Sequence, residues 1–162
     1  MDEVASQRLV ALAAIDGLRE SPVSPYRDGR PVARVIEVVG RVTGEPRPFG
    51  VNVTRINGHL YVCSATRERD WVRNLLAARR CRIERDGPGG ADSERVPVLV
   101  VGREAAVALA TYLPQSGYHD PLLPFEEGAS VDEIERWVDS VAVFRLDPAE
   151  SDRTDCLMKG EV

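Results

Sequence analysis

The dipeptide Asn57-Gly58 stands between two runs of alternating apolar and polar residues, Arg47–Arg55 and His59–Ser64. Asn-Gly supplies both left-handed positions of a type I′ turn, whose twist matches that of two paired strands. This segment is therefore committed to a tight antiparallel hairpin, with Phe49, Val51 and Val53 on one face and Asn52 and Thr54 on the other. A hairpin with one apolar face needs further strands or helices to cover it.

The rest of the chain offers both. Val32–Val39 is rich in β-branched residues and stops at Gly40. Cys81–Arg85, Val96–Val101 and Ser140–Leu146 also read as short strands, the first ended by Asp86-Gly87. Residues 2–19 place Val4, Ala11, Leu12, Ile15 and Leu18 at helical spacing. Asp70 can cap a helix over Trp71–Ala78, and Pro114 closes another over Glu104–Leu113. Ser130 and Glu133 form a capping pair for a helix through Trp137. Connections this short favour antiparallel neighbours, so the expectation is an α+β chain built on a small antiparallel β-barrel with helices outside. Residues 1–150 are expected to form a single domain and residues 151–162 an acidic tail.

The 43% apolar and 29% charged residues are those of a globular chain and not of a disordered one. No apolar run approaches the ~20 residues that span a bilayer. Asp2 and Glu3 open the chain without a basic region, so the expectation is a cytoplasmic protein without membrane association. Cys63, Cys81 and Cys156 are widely separated and accompanied only by His59 and His119, so no metal site is expected.

The net charge of −5 conceals a division. Residues 29–85 carry twelve arginines against five acids, whereas residues 126–162 carry eleven acids against four basic residues. A concentrated basic segment in an acidic protein argues against nucleic acid as partner and for a pocket holding a small polyanion. Gly40 and Gly44 bracket a tight connection where backbone N–H groups, the Arg41 and Arg47 forks and the Thr43 hydroxyl can meet an anion. Trp71 and Asn74 follow one helical turn apart; Trp71 can plug the barrel or face a ligand, and Asn74 can fasten a loop or touch a ligand.

Taken together, Gly40-Arg41-Val42-Thr43-Gly44-Glu45-Pro46-Arg47, the hairpin and Trp71-Val72-Arg73-Asn74-Leu75 resemble the deazaflavin-dependent nitroreductase family of split β-barrel proteins. The terminal run Val141–Leu146 is similar to that family's closing strand, and the resemblance spans about residues 3–147. It implies a six-stranded antiparallel split β-barrel that binds coenzyme F420. Arg41, Thr43 and Arg47 would hold the phosphate end. Cys63, Ser64 and Ala65 would lie along the ring through backbone groups, Trp71 beside it, and Asn74 would fix the helix. Asn52 stands where the family has a larger ring-contacting residue. Val42 replaces a common lysine, and the loop Thr66–Arg69 is compact, so Arg67 or Arg69 is the candidate for the lost positive charge.

The implied activity is hydride transfer from reduced deazaflavin to a small organic acceptor such as an activated C=C, a quinone or a nitro compound. Tyr112, Tyr118 and His119 lie where the family places substrate-facing groups, and a tyrosine or histidine there can donate a proton. Other readings stay open: FMN in place of F420, a cofactor-free isomerase or cyclase, or a non-catalytic coenzyme carrier. The partner is in each case a small molecule, and the chain a monomer or homodimer.

Overall fold

Asn57 and Gly58 adopt φ of 52° and 80°, so the hairpin turn has the left-handed geometry its residues dictate. The turn joins β2 (Pro46–Ile56) to β3 (His59–Ser64). The computed structural model describes residues 3–117 and 119–149, with side chains from residue 11 onward. The remaining elements are α1 (Glu3–Glu20), β1 (Pro31–Val39), α2 (Asp70–Ala77), β4 (Cys81–Ile83), β5 (Ser93–Leu99), α3 (Gly102–Tyr112), α4 (Val131–Glu135) and β6 (Ala142–Pro148). Cys156 and residues 151–162 lie outside the described residues.

The six strands close into an antiparallel barrel in the order β1-β2-β3-β6-β5-β4, the six-stranded split barrel expected of the chain, with the helices outside. Two apolar clusters hold it together. Inside the barrel, Ile36, Val38, Val53, Val62, Ile83 and Phe144 pack together, and Val72 and Leu75 of α2 join them. Outside, α3 and α4 bury Ala105, Leu109 and Ile134 against Tyr61, Val141 and Val143. The alternation of β3 and β6 feeds both clusters, odd residues outward and even residues inward.

The C-terminal end of α1 is tied down by two arginines. Arg19 makes a bidentate pair with Glu84 at 2.7 and 2.8 Å. Arg85, itself at φ 53°, donates to the carbonyls of Leu18, Arg19 and Ser21. Cationic donors at the last carbonyls of a helix satisfy groups that have no intrahelical partner. They set α1 against β1 and β2.

Several element boundaries differ from the sequence reading, each for a local reason. Arg69, not Asp70, occupies the N-cap of α2 and makes no side-chain cap; Asp70 is the first helical residue, its carboxylate drawn to Arg41. The strand from Cys81 ends at Ile83, because Arg85 leaves the extended region. β5 starts at Ser93 and ends at Leu99 instead of spanning 96–101. Its first turnless stretch is polar because Arg95 and Ser93 approach Asp86. α3 begins at Gly102 and stops at Tyr112. α4 ends at Glu135, short of Trp137: Ser130 Oγ accepts the Glu133 N–H at 3.2 Å, but the Glu133 carboxylate turns to Trp137 and Arg136. A 3-10 turn over Val138–Ser140 then delays β6 to Ala142.

An ionic cluster that no sequence pattern announced lies beside the barrel. The side chains of Arg34 and Asp86 are 5% and 3% exposed and their charges are 3.6 Å apart. Tyr26 donates its hydroxyl to Asp86 and lies under Arg34, whose guanidinium carbon is 4.6 Å from the ring centroid. Ser93 donates to the other Asp86 oxygen at 2.7 Å. Burial and the Asp86 hydrogen bond together push the Tyr26 pKa well above the usual phenol range, so it remains a donor. Pairing of this kind is what lets buried charges persist.

Candidate functional site

Alternation along β2 turns Phe49, Val51 and Val53 toward the barrel core. It leaves Pro46, Pro48, Gly50 and Asn52 on the opposite face; two hollows lie along that face, and a smaller one precedes them, touching β2 only at Arg47. The first, about 60 Å³, is enclosed by the Gly40–Thr43 turn, Arg47, Asp70 and Asn74. The second, about 720 Å³, runs between α1, the start of β2 and α2, with Leu12, Ile15, Pro48 and Trp71 in its walls. The third, about 230 Å³, is bounded by Gly50, Asn52, Ser64, Trp71 and α3. The first two share Arg47, Asp70 and Asn74; the second and third share Trp71.

The first hollow is basic, but its two arginines differ. Arg41 donates through Nη1 to Asn74 Oδ1 at 2.7 Å and to Asp70 Oδ1 at 3.1 Å. Arg47 lines the first and second hollows and has no side-chain partner among the described residues. The Thr43 hydroxyl accepts the Glu45 N–H at 3.3 Å, which steadies the turn. The exposed Val42 contributes no charge, and Arg67 does not replace it: its guanidinium donates to the Val141 and Val138 carbonyls at 2.7 and 3.3 Å.

Trp71 stacks on Phe49 with ring centroids 5.0 Å apart and planes inclined by 15°. The pair stands where the second hollow meets the third. Gly50 is not in the left-handed region, so its backbone does not require glycine. A Cβ there would lie 3.1 Å from Leu18 Cδ1, in the space between β2 and α1.

Cys63, Ser64 and Ala65 line the third hollow from β3 and the residue after it. The Ser64 hydroxyl donates to the Thr66 carbonyl at 2.7 Å and so folds the compact loop leading to α2. Burial pushes the Cys63 thiol up to about 12, so it stays protonated at neutral pH. Across the hollow, Tyr112 accepts a hydrogen bond from Asn52 Nδ2 at 3.3 Å. Burial raises the Tyr112 pKa against the opposing effect of that bond, leaving its hydroxyl proton in place. His119 is not in the wall: its exposed ring pairs with Glu127 at 2.9 Å. Tyr118 lies outside the described residues.

Asp120 is a wall residue that sequence reading passed over. Its Oδ2 lies 2.5 Å from Arg69 Nη2, and its Oδ1 accepts the Leu122 N–H at 3.0 Å. The Asp120-Pro121-Leu122 sequence carried one usable signal, since aspartate often bonds the backbone two residues on. Nothing local marked its partner as Arg69, fifty-one positions away.

No family model matches the chain, and no curated protein matches it. Solved structures similar to it include a protein from Bacteroides thetaiotaomicron provisionally named a 5-nitroimidazole antibiotic resistance protein. That one is 13% identical, with a TM-score of 0.49, covering 84% of this chain and 78% of the other. A structure described as an F420 reductase is 16% identical, with a TM-score of 0.47 and coverage of 75% and 89%. A Listeria innocua protein provisionally named a pyridoxamine 5'-phosphate oxidase is 13% identical, with a TM-score of 0.47 and coverage of 72% and 82%. Among the described residues, no helix is long and apolar enough to cross a membrane.

Proposed function

We propose that the groove on the outer face of β2 binds coenzyme F420 and that the protein is a reductase of small organic acceptors. The observation that carries this reading is the continuity of the groove. It leads from Arg47, which has no side-chain partner among the described residues, past Trp71 to a hollow lined by Asn52, Ser64 and Tyr112. Its parts fit a long ligand with an anionic end and a planar ring. The basic turn offers forks and a hydroxyl to the anion, the second hollow offers apolar walls, and Gly50 adds no side chain to the third.

The bound deazaflavin supplies the hydride; the chain's own residues supply placement. Arg47 and Arg41 hold the anionic end, and Asn74 keeps Arg41 at the groove. Trp71 borders the ring, and Asn52, Cys63, Ser64 and Ala65 form the side facing α3. Tyr112 is the proton donor in this reading, because its hydroxyl is protonated and reaches the third hollow. These walls come from one chain, so the reading needs no second copy.

The test is a fluorescence titration with F420, run beside FMN. Saturable quenching by F420, weakened in Arg47→Ala, supports the assignment. FMN binding alone changes the cofactor, and no binding of either removes the reading. A second reading, a cofactor-free isomerase or cyclase, draws on one observation: Asp70 and Asn74 already occupy the Arg41 fork. Turnover of a small substrate by protein shown free of both cofactors would favour it.

A further inference from the structure

The third hollow holds one cation and one anion in contact. Arg69 reaches it from the loop between β3 and α2, and Asp120 from the connection between α3 and α4. The Asp120 side chain is only 13% exposed. It is held at both oxygens, by Arg69 Nη2 and by the Leu122 N–H, and so is fixed in place. Arg69 also points Nη1 at Ser64 Oγ, 3.5 Å away, and the rest of its five N–H donors have no other acceptor among the described residues. Leu109, Leu113 and Leu123 complete the wall with apolar surface, and Tyr112 adds a hydroxyl.

We infer that the Arg69–Asp120 pair makes this hollow a binding site for small uncharged ring compounds bearing a carbonyl oxygen, and excludes carboxylates from it. The inference rests on the reading of the third hollow as the place of the acceptor. A carbonyl oxygen takes the free N–H donors of Arg69 without displacing Asp120. A carboxylate must either stand beside a fixed, largely buried carboxylate or displace it from Arg69, and both cost electrostatic energy. The apolar wall takes the ring. The pair thus selects by charge, rejecting one ligand class while admitting another of nearly the same shape.

Benzamide and benzoate differ in charge and hardly in shape, and their binding to the whole protein is measured by calorimetry. Wild type is expected to bind benzamide at least tenfold more tightly than benzoate. Asp120→Asn is expected to move that ratio at least tenfold toward benzoate, and Asp120→Glu to keep the wild-type preference. Arg69→Gln is expected to weaken benzamide at least fivefold. A ratio unchanged by Asp120→Asn overturns the inference. Should that variant fail to fold, benzamide affinity unchanged in Arg69→Gln overturns it instead. F420 quenching in the same samples separates the two readings. Charge selection without F420 binding removes only the proposed cofactor, and F420 binding without charge selection removes only this inference.

Discussion

Asn74 Oδ1 accepts two hydrogen bonds from Arg41, one from its backbone N–H at 3.2 Å and one from Nη1 at 2.7 Å. A single buried amide thereby fastens α2 to the Gly40–Gly44 turn and aims a guanidinium along the groove. Replacing Asn74 by Ala leaves the Arg41 backbone N–H without its acceptor and the guanidinium held by Asp70 alone. A loss of about 1–3 kcal/mol in unfolding free energy is expected, the usual cost of stranding such groups. Urea denaturation measures it, and the F420 affinity should fall in the same variant because Arg41 keeps only its exposed pairing with Asp70.

Asp70 and Arg47 act on the same anion with opposite sign. The Asp70 carboxylate is 84% exposed and pairs with Arg41, so Asp70→Asn frees part of the Arg41 charge for a ligand. An exposed pair is worth little, so the gain in F420 affinity is expected to be about twofold at low salt and to vanish at high salt. Arg47→Ala has no such buffer. Loss of a charge-assisted contact predicts a fall of about tenfold or more. Fluorescence titration at two salt concentrations checks both, and equal affinities in all three proteins would displace the anion from this turn.

Legibility in the sequence followed the range of the interactions. The Asn57-Gly58 turn and the Ser130 cap are decided by neighbours in the chain, and both were readable there. Arg34 sits in a run that reads as apolar strand, yet it is buried against Asp86, fifty-two positions later, and only closure of the barrel brings them together. The same holds for Asp120, whose partner Arg69 belongs to a different loop. Arg67 shows the converse. Its charge and position made it a candidate ligand group, but the backbone carbonyls before β6 claim it. The order of elements was thus available from patterning, whereas the choice among twenty arginines required the fold.

Gly50 gives a test of the groove that leaves the fold alone. Its backbone suits any residue, and strands favour β-branched side chains over glycine. The nearest obstacle to a Cβ is the tip of Leu18, 3.1 Å away, which must give by a few tenths of an ångström. Gly50→Val should therefore stay folded and melt close to the wild-type temperature while losing about tenfold or more in F420 affinity. Unaltered affinity in a folded Gly50→Val protein would place the ligand elsewhere.

Tyr112 and His119 separate on position. Tyr112→Phe keeps the ring and removes the hydroxyl that Asn52 contacts in the third hollow. With an accepted quinone or nitro substrate, turnover is expected to fall at least tenfold, the lower end of a general acid's contribution being ~10²-fold. F420 affinity should be unchanged. His119→Ala removes a surface ring paired with Glu127 and should leave turnover within about twofold. The reverse ranking would move the proton donor out of the third hollow.

Acid unfolding reads the Arg69–Asp120 pair directly. Burial alone would raise the Asp120 pKa, but the Arg69 hydrogen bond, the Leu122 N–H and the Arg69 charge outweigh it and hold the carboxyl below its ordinary value. A carboxyl with a depressed folded pKa binds its proton more weakly in the folded state than in the unfolded one. Its stabilisation is therefore complete above the unfolded value of about 3.9 and disappears as pH falls through the folded one. Asp120→Asn cannot titrate and lacks this dependence. Urea unfolding of wild type and Asp120→Asn from pH 7 downward should give a stability difference that is flat to about pH 5 and shifts against wild type below it. Parallel curves throughout would mean that the Asp120 carboxyl is not held below its ordinary value, and that the contact with Arg69 does not persist in solution.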